Sequence, residues 1–304
     1  MSSPVVELKH VTKVIKGKTI IDDLSFTIEE GEVFGFLGPN GAGKTTTIRM
    51  IVGLMGITSG EILICGHNVK TEFEDALQHI GGIVENPELY KFLTGYQNLM
   101  QYARMVKGIS KQKIDEVVEF VGLKERIHDK VKTYSLGMRQ RLGLAQSLLH
   151  DPKVMILDEP TNGLDPAGIK EIRDHLKKLT KEKGMSVIVS SHLLSEMEMM
   201  CDRIAIIQQG KLIDIQQVHD YVKESKQKYF FELDWEQAEV LQSLTISYER
   251  VENGIEIDLE KGEVPDMIQF FVEKGIRIFE VKPMAKSLED RFFEVTAQGE
   301  KVHA

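Results

Sequence analysis

The chain has 304 residues, 42% hydrophobic and 28% charged, which fits a packed core in one large domain with room for a small second one. Its net charge of −9 argues against a general nucleic-acid binder, which carries a basic face. No apolar run approaches the roughly 20 residues that span a bilayer, and the start, MSSPVVELKH, lacks the apolar core of a signal peptide.

Apolar and polar residues alternate in VVELKHVT and TIIDDLSFTI, with Gly17 between them, which predicts an antiparallel strand pair. VFGFLG follows as a short, fully apolar strand ending in glycine, then GKTTTIRMIVGLM as a helix and GEILICG as another strand. Residues 95–150 carry helical patterns (GYQNLMQYARMV, SKQKIDEVVEFVGL and LGMRQRLGLAQSLL) and predict a helical insert within an α/β domain. KVMILDEP and MSVIVSSH are apolar runs of the kind buried on both faces of a parallel sheet. AGIKEIRDHLKKLTKEKG between them supplies the helix that a right-handed crossover needs. DRIAIIQQGKLIDI reads as a hairpin turning at Gln209–Gly210.

The charged stretch HDYVKESKQK predicts a domain boundary near residue 222, dividing the chain into 1–222 and 223–304. The second part reads as strand YFFELD, helix WEQAEVLQSL, strand ISYERVE, a turn at Asn253–Gly254, strand IEIDL, helix PDMIQFFVEKG and strand IRIFEV. That β-α-β-β-α-β order is ferredoxin-like. A last amphipathic helix, SLEDRFFEVT, sets Leu288, Phe292 and Val295 on one stripe, and Trp235 is expected to be core. Cys65 and Cys201 stand in no metal-binding spacing and predict two reduced thiols in a cytosolic protein, so that any work at a membrane needs another carrier.

The strongest chemical signal is GPNGAGKT, comprising Gly38, Pro39, Asn40, Gly41, Ala42, Gly43, Lys44 and Thr45, set between an apolar strand and a helix. Glycines let the backbone curl so that its N–H groups form a nest for phosphate oxygens, and the helix N-terminus adds a favourable dipole. Lys44 is placed to reach the β- and γ-phosphates, Thr45 to bind Mg²⁺ through its hydroxyl, and Thr46 to help hold a phosphate. A carboxylate following a buried strand lands at the same sheet edge as the phosphate loop. Asp158, after VMIL, is therefore expected at Mg²⁺, and Glu159 is expected to orient or deprotonate the attacking water. His192 ends the strand VIVSSH and is expected at the γ-phosphate. A second anion site is expected where Ser135 and Gly137 open the helix that follows Tyr134.

These elements, in this order over residues 5–220, resemble the nucleotide-binding subunit of an ATP-binding cassette (ABC) transporter. The phosphate loop, the YSLGM stretch, ILDEP, the loop Asn162–Asp165 and SSH all stand in family order. The resemblance implies a P-loop cassette with a parallel or mixed sheet core, an antiparallel β subdomain and a helical insert, followed here by the small α+β domain. It implies ATP and Mg²⁺ as ligands and a separate membrane permease, which holds the protein peripherally at the cytoplasmic face of the membrane. It also implies a head-to-tail homodimer in which Ser135 and Gly137 close the ATP held by the other copy.

Two departures from the family pattern bear on function. Ile15 stands where an aromatic ring usually stacks on adenine, which removes about 0.5–1.5 kcal/mol of stacking and predicts relaxed nucleotide choice. Glu85 replaces the glutamine that links the Mg²⁺–γ-phosphate region to the permease, and a carboxylate there is expected to bind the metal and to join in the catalytic step. With NPELY and SLGM, this glutamate resembles exporters of the bacitracin-resistance and lantibiotic-immunity type, which implies export of a toxic amphiphile. Tyr90, Phe92, Leu93 and Tyr96 read either as core or as a groove for permease helices, and the resemblance favours the groove. Met197, Met199 and Met200 are expected to pack under the sheet edge. The rival readings are a cassette ATPase of DNA repair or translation, and a non-catalytic nucleotide-binding regulator. The lack of heptads between the phosphate loop and YSLGM, the single cassette and the acidic balance disfavour the first; intact Lys44, Asp158, Glu159 and His192 disfavour the second.

Overall fold

A computed structural model of the chain describes residues 4–218, 227–234, 246–260 and 262–284. Two compact units divide it, Met1–Val218 and His219–Ala304, so the division falls slightly before residue 222.

The first unit runs β1 (Val6–Ile15), β2 (Lys18–Ile28), β3 (Val33–Leu37), α1 (Lys44–Ile51), β4 (Ser59–Ile64), β5 (His67–Asn68), α2 (Phe73–Leu77) and β6 (Ile80–Ile83). The helical insert follows as α3 (Gly95–Met105), α4 (Lys111–Phe120) and α5 (Leu136–Ser147). The chain then returns to the sheet through β7 (Val154–Leu157), α6 (Pro166–Lys183), β8 (Ser186–Ser191), α7 (Leu194–Met200), β9 (Arg203–Gln208) and β10 (Lys211–Gln217). The short elements β5 and α2 were not legible as strand and helix, since two and five residues are too few to show a period.

One sheet is antiparallel, in the order β2-β1-β4-β5, and the other runs β10-β9-β3-β8-β7-β6. In the second sheet β9, β3, β8, β7 and β6 are mutually parallel, and only the edge strand β10 is antiparallel. β3, β7 and β8 are buried at every position, as expected for strands covered on both faces. Because they are parallel, they deliver the phosphate loop, Asp158–Glu159 and His192 to one edge.

The two sheets share a core. Phe26 on β2 stacks on Phe34 of β3 with ring centroids 5.6 Å apart and meets Phe36 edge-on at 5.5 Å. Each fully buried ring is worth about 1.5–3 kcal/mol in removed surface. Gly35 lies between them in sequence for a steric reason. A Cβ there would sit 2.7 Å from the Met197 sulfur and 2.8 Å from the Cys201 sulfur. Met197, Met200 and Cys201 thus pack under the sheet, whereas Met199 is exposed on the outer face of α7.

Helix starts follow the local chemistry. Thr94 and Gln97 form a reciprocal capping box on α3, Ser110 caps α4, and Asp165 with Pro166 opens α6. α6 ends at Gly184 in the left-handed conformation, φ 61°.

The second unit has β11 (Gln227–Leu233), β12 (Tyr248–Val251), β13 (Gly254–Leu259), α8 (Val264–Glu273) and β14 (Ile278–Pro283). Its antiparallel sheet runs β12-β13-β11-β14, and Phe231 meets Phe271 of α8 edge-on at 5.4 Å. The helices expected over 235–244 and 287–296, and Trp235, lie outside the described residues.

Candidate active site

The phosphate loop joins β3 to α1. Gly41 and Gly43 take φ of 83° and 112°, a region that a side chain disfavours. At Gly38 a Cβ would lie 2.2 Å from the Ile207 carbonyl oxygen, so the loop passes against β9 only as glycine. Lys44 is 5% exposed and donates to the carbonyls of Gly38 at 2.7 Å and Pro39 at 3.3 Å, which bends the loop around its ammonium group. The loop and its surroundings line an open cleft of about 430 Å³. Asn40, Gly41, Ala42, Gly43, Lys44, Thr45 and Thr46 line one side, with Glu159, His192, Asn162 and Ile20 around them.

The two carboxylates after β7 are held differently. Asp158 is 2% exposed, and its Oδ1 accepts from Ser190 Oγ at 2.6 Å and from Thr45 Oγ1 at 3.3 Å. Glu159 is a left-handed residue, φ 49°, whose N–H donates to Ser190 Oγ at 2.9 Å. Its carboxylate lies between two cationic or proton-bearing groups, with Lys44 Nζ at 3.5 Å from Oε1 and His192 Nδ1 at 2.9 Å from Oε2. One buried hydroxyl, that of Ser190, therefore ties both carboxylate residues to β8. Sequence reading passed over it, although SSH carries it, because nothing in the string says which strand neighbours β7.

Behind this site a second buried carboxylate, Glu196 on α7, accepts from Thr161 Oγ1 at 2.7 Å and Ser191 Oγ at 2.9 Å. It fixes the loop after Glu159 to the end of β8.

Glu85 follows β6 and faces a neighbouring cavity of about 220 Å³ with Thr45, Asn86, Gln140, Asp158, Glu159 and Asn162. Its carboxylate is paired with Arg49 of α1. Downstream, Tyr90 and Phe92 are exposed, with rings 5.8 Å apart. Fully buried Asn98 holds that turn, accepting from the Tyr90 N–H at 2.8 Å and donating to the Tyr90 carbonyl at 3.1 Å.

Three further expected site residues lie outside the lining of the phosphate-loop cavity. Ile15, at the end of β1, does not line the nucleotide cavity, and Ile20 of β2 takes an apolar place there instead. Ser135 and Gly137, expected at the ATP of the other copy, do not line this chain's own cavity. Ser135 caps α5, accepting from the Met138 N–H at 3.2 Å, and is exposed. Tyr134 before it is buried, which raises its phenol above the usual range, and it donates to the Arg126 carbonyl at 2.7 Å.

A phosphate nest, a buried lysine and paired carboxylates at one sheet edge are the parts of a nucleotide triphosphatase. The family model for ABC transporters matches residues 21–162. Over 97% of this chain and 96% of its own length, the ABC transporter ATP-binding protein YhcH of Bacillus subtilis (strain 168) is 69% identical to it. The chain belongs to the family of ABC transporter ATP-binding proteins. The bacitracin transport ATP-binding protein BcrA of Bacillus licheniformis is 41% identical over 98% of this chain and 99% of its own. A solved dimer of the ATP-binding cassette MJ0796, in a post-hydrolysis state bound to ADP and Pi, matches with TM-score 0.63 and 26% identity. It covers 70% of this chain and 98% of that one. Members of this family bind ATP, hydrolyse it in step with transport, dimerise and work with a membrane permease. Among the described residues no helix of this cassette is long and apolar enough to cross a membrane.

Proposed function

We propose that this ABC ATPase powers a permease that exports peptide antibiotics, lantibiotics or similar toxic amphiphiles. It works as a head-to-tail homodimer seated on that permease at the cytoplasmic face of the membrane, with residues 1–222 as the cassette and 223–304 as an accessory domain. The observation that carries the chemical reading is Glu159, held between Lys44 and His192 on the wall of the phosphate cavity.

The loop N–H groups and Lys44 bind the β- and γ-phosphates of ATP, as a nest and a point charge do. Glu159 accepts a proton from the water that attacks the γ-phosphorus, and the bond to the β,γ-bridging oxygen breaks to give ADP and phosphate. His192 Nδ1 faces the Glu159 carboxylate and orients it, and the ring shares the cavity wall with the phosphate loop, which supports a contact from its other nitrogen to the γ-phosphate. Thr45, Asp158 and Glu85 offer the hard oxygen donors that suit Mg²⁺, which when bound spreads the negative charge of the phosphate oxygens.

Ser135 and Gly137, exposed or half-exposed at the start of α5, are free to meet a phosphate from outside the chain. The dimer of the MJ0796 cassette supports that assembly. Exposed Tyr90 and Phe92 offer apolar purchase to a permease helix. The whole-length similarity to a bacitracin transport protein supports the class of cargo.

Glu159→Gln keeps the shape of the site and removes the base. Hydrolysis, followed by phosphate release from the reconstituted complex, is expected to fall at least about 100-fold. ATP-dependent dimers should then accumulate on gel filtration. Wild-type turnover in that variant refutes the role of Glu159. For the cargo, cells lacking the gene should become more sensitive to bacitracin-like or lantibiotic peptides, and unchanged sensitivity to all of them counts against the export reading.

A further inference from the structure

Glu85 and Arg49 form an ion pair between the segment after β6 and the last turn of α1, with side-chain exposures of 60% and 38%. Arg49 lies four residues after Thr45 on α1, so the two share a helix face. Thr45 turns to Asp158 and Arg49 to Glu85, so one helix face reaches two of the three carboxylates that line the smaller cavity. None of that cavity's lining residues is a lysine or arginine.

The three carboxylates are satisfied from separate directions. Ser190 and Thr45 serve Asp158, and His192 and Lys44 serve Glu159. Glu85 is served by Arg49. The backbone at Glu85 is left-handed, φ 67°, which for a residue with a Cβ is held only by its surroundings. An amide at position 85 would need no counter-ion. A carboxylate among two others does, and a permanently charged guanidinium on the adjoining helix supplies it.

We propose that Arg49 is a positioning residue that holds Glu85 at the rim of the smaller cavity and competes with the nucleotide-bound divalent cation for its carboxylate. The inference rests on the reading that Glu85 faces that cation. Entry of the cation then requires Glu85 to exchange a guanidinium for a metal ion. The strength of the ion pair sets how tightly the cassette holds its metal, and α1, which begins at the phosphate loop, senses the exchange directly.

The test is Mn²⁺ binding to the ADP-loaded 304-residue chain, read as loss of the free Mn²⁺ resonance, for wild type, Arg49→Gln, Glu85→Gln and the double variant. Breaking a half-exposed ion pair is expected to tighten Mn²⁺ by roughly 2- to 5-fold in Arg49→Gln. Glu85→Gln should weaken Mn²⁺, and Arg49→Gln should have no further effect in that background. A shift of equal size in both backgrounds shows that Arg49 acts by net charge and overturns the proposal. So does a silent Arg49→Gln beside an active Glu85→Gln, which leaves Glu85 at the metal. A silent Glu85→Gln overturns both readings together. Arg49→Lys keeps the charge without the fork, is expected to tighten Mn²⁺ less than Arg49→Gln, and replaces it if circular dichroism finds Arg49→Gln unfolded.

Discussion

Ser190→Ala is the substitution whose consequences the structure defines most closely. Ser190 is fully buried on β8, donates to Asp158 Oδ1 at 2.6 Å and accepts from the Glu159 N–H at 2.9 Å. Alanine removes both bonds. A hydrogen bond to a buried charged group is worth about 1.5–3 kcal/mol, and an orphaned buried N–H costs about 1–3 kcal/mol. Loss of some 2–4 kcal/mol is therefore expected. For a unit of 150–250 residues that is roughly a 5–15 °C fall in Tm. Hydrolysis should fall with it, because Glu159 sits in a left-handed backbone that the Ser190 bond helps to hold. Urea unfolding and phosphate release on the same preparations measure both effects. A stability loss under about 0.5 kcal/mol with unchanged turnover would mean that the two carboxylates do not depend on β8, and the reasoning would fail.

Two further outcomes follow from other parts of the molecule. Burial chiefly, then the charges of Lys153 and His67, hold the His79 imidazole below its ordinary value of 6.5. The unfolded chain therefore binds the proton first, so His79 costs stability as pH falls below about 6.5 and costs nothing above it. Urea midpoints at pH 7.5 and 5.5 should differ less in His79→Gln than in the wild type, and equal differences would exclude the effect. Ile20 is the large apolar residue on the wall of the nucleotide cavity and, among the described residues, no Phe, Tyr or Trp lines it, so GTP should be hydrolysed within about tenfold of ATP. A larger ATP preference in a side-by-side phosphate-release assay would show that other groups read the base.

The phosphate loop was legible because its chemistry is local. Glycine spacing, a lysine and a hydroxyl in eight consecutive residues define the nest before any neighbour is known, and apolar runs that end in carboxylates or histidine mark strand ends. The fully apolar strands and their crossover helix also pointed to a parallel sheet, but that β8 stands between β3 and β7 came from the structure. The methionines show the limit of such patterns. The run predicts packing for three of them, yet Met199 points outward from α7 while Met197 meets Gly35.

What the sequence by itself determined is therefore the triphosphate chemistry and the layered α/β scheme, because backbone curl and side-chain period are properties of adjacent residues. Only the tertiary structure decided that Ser190 ties Asp158 to Glu159, that Arg49 answers Glu85, that Asn98 pins Tyr90 and that Ile20 rather than Ile15 lines the cavity. A repeat of two or 3.6 residues says which face a side chain takes. Which residue meets it, often dozens of positions away, is set by strand order and close packing of the folded chain.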